Sequence, residues 1–290
     1  MSREAAAPDT ALADFVPMVD GRTRLLVRKG WEDAAEHLSD PDTIKGDETV
    51  AGGRADHPVV TLPNGARVVV RRYRRGGMMR WVNRVLYFGG NRAFDELRAT
   101  ERARAGGVRA PTVVAAIERP ARLAGYRAWL ATELIPGGLD FAAWLAEQGG
   151  DEDRRRAVLR EAGRQLATMH AAGVAHPDVN LRNLLVAPGD GDPDVYLLDF
   201  DKADVGATPV SVPRRERDLR RLARSARKLQ AALAPDDWAA FRDGYGEEWP
   251  AGLDLSKVPK EERGRAKKGE DRAEEAAEDE VEAGEETEDG

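Results

Sequence analysis

The chain has 290 residues, 41% of them hydrophobic, which is enough for one large domain or two lobes with a sizeable core. It has no cysteine, which excludes disulfides, thiolate zinc sites, iron–sulfur clusters and a cysteine nucleophile. A net charge of −7 and a pI near 5.4 argue, taken whole, against a polyanion partner. The distribution says otherwise. Residues 256–290 hold 14 acidic and 7 basic side chains, and subtracting these from 52 and 45 leaves 38 of each in residues 1–255. Within that balanced body, residues 71–107 carry ten arginines against Asp95, Glu96 and Glu101. There is no apolar run of the roughly 20 residues that a membrane span needs. The N-terminus lacks the basic-then-apolar pattern of a signal peptide. The expectation is a cytoplasmic protein.

In chain order, residues 1–13 are small and polar and are expected to be a flexible end. Thr23 to Val27, Val59 to Leu62 and Arg67 to Tyr73 are β-branched or apolar runs, and Pro63-Asn64-Gly65 predicts a hairpin between the last two. Asn91 to Ala105 reads as a helix with Ala93, Phe94 and Leu97 at helical spacing. Pro111 to Glu118 and Gly125 to Leu134 follow as strands, ending at the breaker Pro136-Gly137-Gly138. A curled antiparallel sheet with one helix is predicted for residues 14–135. Beyond the breaker, Leu139 to Glu147, Asp151 to Ala172, Arg214 to Ala232 and Pro235 to Asp243 predict helices, and Leu184 to Val186 with Val195 to Leu198 a short hairpin. This defines a helical lobe over 136–254. Residues 255–290, rich in Glu, Lys, Ala and Gly, cannot bury enough surface to offset chain entropy and are expected to be a disordered acidic tail.

The informative segment begins at His170. It contains His176-Pro-Asp178-Val-Asn180-Leu-Arg-Asn183, an apolar strand, a turn, a second apolar strand and Asp199-Phe200-Asp201. H-x-D-x-x-x-x-N followed by D-F is the spacing of the protein-kinase-like catalytic loop and metal motif. The chemistry explains the residue types. Phosphoryl transfer spreads negative charge over the moving group, so the protein must position reactants, hold a cation and receive the acceptor's proton. Asp178 stands where the base belongs, and Asn183 and Asp199 offer hard oxygens suited to Mg2+. His176 is read as a brace for the loop rather than a proton carrier, and His170 as a packing residue. Taken singly, Asp178, Asn183 and Asp199 would read as caps and turn formers.

Such a site needs a strand cation on the nucleotide phosphates and a helical carboxylate to orient it. Arg71 occupies the strand position, with a different reach from lysine, and Glu96 is its partner on the helix. The phosphate-covering loop is assigned to Ala51-Gly52-Gly53-Arg54-Ala55, a poor match to G-x-G-x-x-G, with Gly52 and Gly53 as the backbone approach points.

At these residues the chain resembles the 3-deoxy-D-manno-octulosonic acid (Kdo) kinases, in the lipopolysaccharide kinase group of the protein-kinase-like fold. The resemblance runs over roughly residues 52–231. It rests on Arg71-Arg-Tyr-Arg-Arg-Gly-Gly77, Asn91-Arg-Ala-Phe-Asp-Glu96, Glu133-Leu-Ile-Pro-Gly137, His176 to Asn183, Asp199-Phe-Asp201 and Leu219-Arg-Arg-Leu-Ala-Arg-Ser225. Asn180, where protein kinases carry lysine, supports the loop and looks like this group's own habit, as does Asp201. Pro177, Asp218 in place of a more typical Asn, and the acidic tail depart from the pattern. The resemblance implies an α+β, two-lobed protein-kinase-like fold with a small antiparallel-sheet N-lobe and a shortened helical C-lobe. It also implies ATP with Mg2+, and phosphorylation of a Kdo hydroxyl on a lipid A precursor at the cytoplasmic face of an inner membrane.

The short Lys202 to Pro213 segment and the absence of an A-P-E motif agree with a sugar or glycolipid acceptor rather than a protein. Arg71 to Arg92 interleaves arginines with Tyr73, Trp81, Tyr87 and Phe88, and is read either as a contact with an anionic membrane surface or as an amphipathic packing element. No nucleic-acid partner is expected. The alternatives are another small-molecule kinase, acting on an aminoglycoside- or choline-like alcohol, and a pseudokinase that binds nucleotide or lipid without turnover.

Overall fold

The computed structural model describes residues 12–44, 46, 48–50, 56–73, 92–121, 125–229, 231 and 233–258. Among them, seven strands form one antiparallel sheet: β1 (Phe15–Asp20), β2 (Thr23–Arg28), β3 (Glu48–Val50), β4 (His57–Thr61), β5 (Arg67–Arg72), β6 (Val113–Pro120) and β7 (Tyr126–Glu133). Their spatial order is β1-β2-β6-β7-β5-β4-β3. The predicted β4–β5 hairpin is present, with Gly65 in the left-handed region at φ 81° and Thr61 opposite Arg67.

Alternation along the strands divides the sheet into two buried faces. Val68, Val70, Ile117 and Trp129 pack with Leu25, Val27 and the short helix α1 (Ala34–Leu38) on one side. Tyr73, Ala116, Ala128 and Leu130 pack with Ala93, Phe94 and Leu97 of helix α2 (Arg92–Ala105) on the other. The single-helix expectation is therefore corrected, because a sheet that is apolar on both faces needs cover on both. β1 was also not predicted: Pro17 interrupts its pattern, and a strand containing proline is tolerated at the sheet edge where β1 lies.

The helical part comprises α3 (Phe141–Gln148), α4 (Glu152–Ala171), α5 (Val212–Lys228) and α6 (Pro235–Tyr245). Three short pairings accompany them: β8 (Leu139–Asp140) on β10 (Leu184–Ala187), β10 on β11 (Asp194–Leu197), and β9 (Val174–Ala175) on β12 (Asp204–Val205). α3 starts two residues later than predicted. Leu139 and Asp140 pair with β10, and the Asp140 carboxylate caps the helix by accepting from Ala143 N at 2.9 Å.

One core joins Phe141, Leu159, Leu166, Met169, Leu197, Phe200, Leu222 and Phe241. α4 and α6 cross at Gly163 and Gly244, where any side chain would overlap the facing backbone at Phe241 and Arg160. Leu255 and Val258 are buried in this core. The folded body therefore reaches past residue 254, the predicted end of the helical lobe. Asp254 caps a short 3-10 turn, Leu255–Lys257, that turns those two side chains inward. Residues 259–290 lie outside the described residues. Among the described residues no helix is long and apolar enough to cross a membrane.

Candidate active site

Arg71 sits on the α2 face of β5, at the same parity as Tyr73. Its guanidinium forks between two carboxylates: Nη2 contacts both Glu96 oxygens and Nη1 donates to Asp199 Oδ1 at 2.9 Å. The Tyr73 hydroxyl also donates to Glu96, and the Arg71 guanidinium lies 4.7 Å from the Tyr73 ring centroid. Burial, offset in part by Arg71, pushes the Glu96 carboxyl up to about 7. Burial works against the charge of Arg71, but Glu96 and Asp199 outweigh it and hold the guanidinium charged above its ordinary range. Next to this cluster, Arg92 at the start of α2 grips Asp201 with two donors, Nε at 2.7 Å from Oδ1. Strand, helix and the Asp199–Asp201 segment are thus tied by two arginines through three arginine–carboxylate pairs.

The second half of the site is built on the turn between β9 and β10. The Asp178 backbone carbonyl accepts from Asn180 Nδ2 at 2.8 Å and from Asn183 Nδ2 at 3.0 Å, and Asn180 Oδ1 accepts from Arg182 N. Because the amide nitrogen of Asn183 is committed to Asp178, its Oδ1 is the end left for a ligand. His176 Nδ1 accepts from Asp178 N at 3.3 Å, which leaves Nε2 to donate to the Leu198 carbonyl at 3.2 Å. The ring lies 5.4 Å from that of Phe200. Asp199 itself adopts φ 62°, a left-handed conformation that costs a non-glycine residue free energy and recurs at functional positions. The Asp178 carboxylate, 46% exposed, accepts from Arg221 of α5 at 2.6 Å.

The structure therefore brings Arg71, Glu96 and Asp199 into one cluster and gathers His176, Asn180 and Asn183 around the Asp178 backbone. Gly52 and Gly53 lie outside the described residues, as does most of the Arg71 to Arg92 stretch. Among the described residues there is no group of three or more His, Cys, Asp or Glu that could hold a metal by itself.

Sequence reasoning missed the anchor of this loop. Asp218, set down there as a departure, is buried on α5, and its Oδ2 accepts from His176 N at 2.8 Å and from His170 Nε2 at 3.3 Å. His170 Nδ1 in turn accepts from the Tyr245 hydroxyl at 2.7 Å. Burial, opposed by Asp218, lowers the His170 pKa from its ordinary 6.5, so the ring sits neutral. Two turns on, Ser225 Oγ accepts from Leu181 N at 3.1 Å. The signal available in the sequence was a carboxylate on the apolar stripe Leu219, Leu222, Ala223, Ala226, where a buried charge demands partners.

The lipopolysaccharide kinase (Kdo/WaaP) family profile matches residues 55–245. A protein of Stenotrophomonas maltophilia (strain K279a) named 3-deoxy-D-manno-octulosonic acid kinase is 32% identical over 209 residues, covering 69% of this chain and 79% of its own length. The protein of the same name from Xanthomonas oryzae pv. oryzae (strain PXO99A) is 36% identical over 194 residues, covering 64% and 72%. A solved structure described as WaaP in complex with acyl carrier protein superposes with a TM-score of 0.53 at 21% identity, over 77% of this chain and 88% of that one, and shows the shared kinase fold. A match that runs through both the sheet and the helices, and takes in every described site residue named above, makes this chain a member of the lipopolysaccharide kinase (Kdo/WaaP) family, ATP-using phosphotransferases with a protein-kinase-like fold.

Proposed function

We propose that the chain transfers the γ-phosphoryl group of ATP to a hydroxyl of Kdo on a lipid A precursor, at the cytoplasmic face of an inner membrane. The observation that carries this reading is the convergence on Asp199 of the Arg71–Glu96 pair from the sheet and of the His176–Asn183 loop, which reaches Leu198 from the helices. Residues 14–135 then act as the nucleotide-binding lobe and 136–254 as the catalytic lobe, with Gly52 and Gly53 over the phosphates. The basic and aromatic composition of the Arg71 to Arg92 stretch suits a peripheral contact with an anionic membrane surface.

Arg71, held by Glu96 and Tyr73, offers a fixed cation to the nucleotide phosphates. The acceptor hydroxyl oxygen attacks the γ-phosphorus as its proton passes to the Asp178 carboxylate. The bond to the β–γ bridging oxygen breaks and ADP leaves. His176, Asn180 and Asn183 hold the Asp178 backbone, so the carboxylate is presented without loop rearrangement. Mg2+ fits the donors present: Asn183 Oδ1 and the Asp199 carboxylate supply two hard oxygens, and a small cation that keeps water and phosphate ligands needs few from protein. When bound, it neutralises charge developing on the transferred group.

The test is incubation of the purified chain and labelled ATP with Kdo-lipid A precursor, free sugars and generic proteins. Label on the glycolipid alone is expected. Label on a different small alcohol rejects the acceptor, and failure to bind nucleotide rejects the enzyme.

A further inference from the structure

The exposed side of α5 carries a continuous row of positive charge. The helix has eight basic side chains and two acidic ones. Its core side is Leu219, Leu222, Ala223 and Ala226, with Asp218 and Ser225 anchoring the Asp178 loop. On the opposite side Arg214, Arg217, Arg221, Arg224 and Lys228 recur at alternating steps of three and four residues. At 3.6 residues per turn these five fall within an arc of about 80° and run for about 21 Å.

Such a stripe works against the helix. Like charges three and four residues apart repel, and cations in the first turn oppose the helix dipole. The stripe is also placed where the chemistry is. Arg214 pairs with Asp204, just beyond the Asp199–Asp201 segment, and Arg221 pairs with the Asp178 carboxylate. Both arginine side chains are 47% exposed, and Arg217 and Arg224 also have contacts within the chain. Half-exposed ion pairs of this kind hold their partners weakly and can exchange them.

We infer that this face of α5 is the acceptor-recognition surface: it takes the carboxylate and phosphate groups of an anionic glycolipid, and Arg221 reads the acceptor at the base by exchanging Asp178 for an acceptor anion. The occupant is the acceptor itself, because Arg221, at the middle of the stripe, contacts the proposed proton-accepting group and the stripe extends to either side of it. This rests on the Kdo-glycolipid reading above, whose acceptor carries a carboxylate on the sugar.

The test compares Arg217→Glu/Arg224→Glu with Arg217→Lys/Arg224→Lys, both distant in sequence from Asp178. The glutamate pair is expected to raise KM for Kdo-lipid A precursor in neutral detergent micelles about tenfold or more, with KM for ATP held. The lysine pair, keeping the charge, stays near wild type. The melting temperature of both pairs stays within a few degrees of wild type, since partly exposed contacts of this kind contribute little to stability. The KM increase also grows smaller as salt is raised.

Unchanged acceptor KM in the glutamate pair overturns the inference and leaves the Kdo reading intact. A parallel loss of stability and of ATP binding marks a structural role and also overturns it. Binding to phosphatidylglycerol vesicles that is lost while micellar KM is unchanged assigns the face to the lipid surface instead. If the wild type phosphorylates a different anionic sugar and the glutamate pair raises that KM, the surface stands and the Kdo reading falls. Transfer only to an uncharged alcohol, with variants equal to wild type, rejects both.

Discussion

The two sides of Asp199 are built from different materials. On the sheet side, charged groups meet across long stretches of chain: Arg71 from β5, Glu96 from α2 and Asp199 from beyond β11, with Arg92 on Asp201 beside them. On the helical side, Asp218, His170, His176 and Tyr245 form a hydrogen-bonded chain inside one core, with a neutral imidazole at its centre. The helical side is set when its core closes. The sheet side depends on two arginines reaching carboxylates that are partly open to solvent, Asp199 being 37% exposed. One side holds Asp178, the proposed base, still, and the other can respond to a charged nucleotide.

The sharpest test of this contrast removes chemistry and leaves architecture. Asp178→Asn is expected to lower kcat about 10³-fold while calorimetric ATP affinity holds, since the proposed proton acceptor and its ion pair with Arg221 are lost while the backbone contacts of the loop remain. Retained turnover would take the base assignment away from Asp178. Next in size, Arg71→Ala is expected to reduce kcat/KM for ATP about 100-fold. It strands the Glu96 carboxylate, so the loss should exceed that in Arg71→Lys, which keeps a charge but not the fork. Equal losses in the two variants would mean that the fork between Glu96 and Asp199 is immaterial.

How far these contrasts could be read from residues alone depends on where their determinants lie. Asp178, Asn183 and Asp199 are close in sequence, and their spacing is local information. The β10–β11 hairpin was legible for the same reason, as two apolar runs around a Gly/Asp/Pro turn. Arg71 and Glu96 were legible through strand and helix periodicity together with family resemblance. The contact of Arg71 with Asp199 was not, because it spans 128 residues. Nor was the role of Asp218: a carboxylate on a helix reads as ordinary until the helix is docked and its partners appear. β1 and α1 escaped because a proline and a five-residue length erase periodicity.

The helical side offers smaller effects. Asp218→Ala leaves His176 N and His170 Nε2 without their acceptor and is expected to cost about 2 kcal/mol, lowering the melting temperature by about 4–8 °C. An unchanged melting temperature would show that the loop is held by Ser225 and packing alone. The smallest effect is on pH dependence. His170 has a folded pKa below its ordinary 6.5, so the unfolded chain binds the proton more readily. The stability it contributes is complete above 6.5 and is lost as pH falls from there through the lowered folded value. Chemical denaturation across pH 8 to 5 should show this loss, and His170→Gln should flatten it. An identical slope in the variant would place the titrating group elsewhere.

The β9–β12 pairing has a consequence for the whole site. Ala175 lies opposite Asp204 and Val174 opposite Val205, so the chain between these two strands starts and ends at one place. His176, Asp178, Asn180, Asn183, Asp199 and Asp201 all lie between them. The C-terminal half of the chemistry is therefore a single closed loop, drawn shut at its base by a two-residue ladder. Once that base has formed, the remaining closures inside it are short and their entropic cost is small. In hydrogen exchange such a loop would open and close as one unit, making the catalytic segment a cooperative subdomain within the larger lobe.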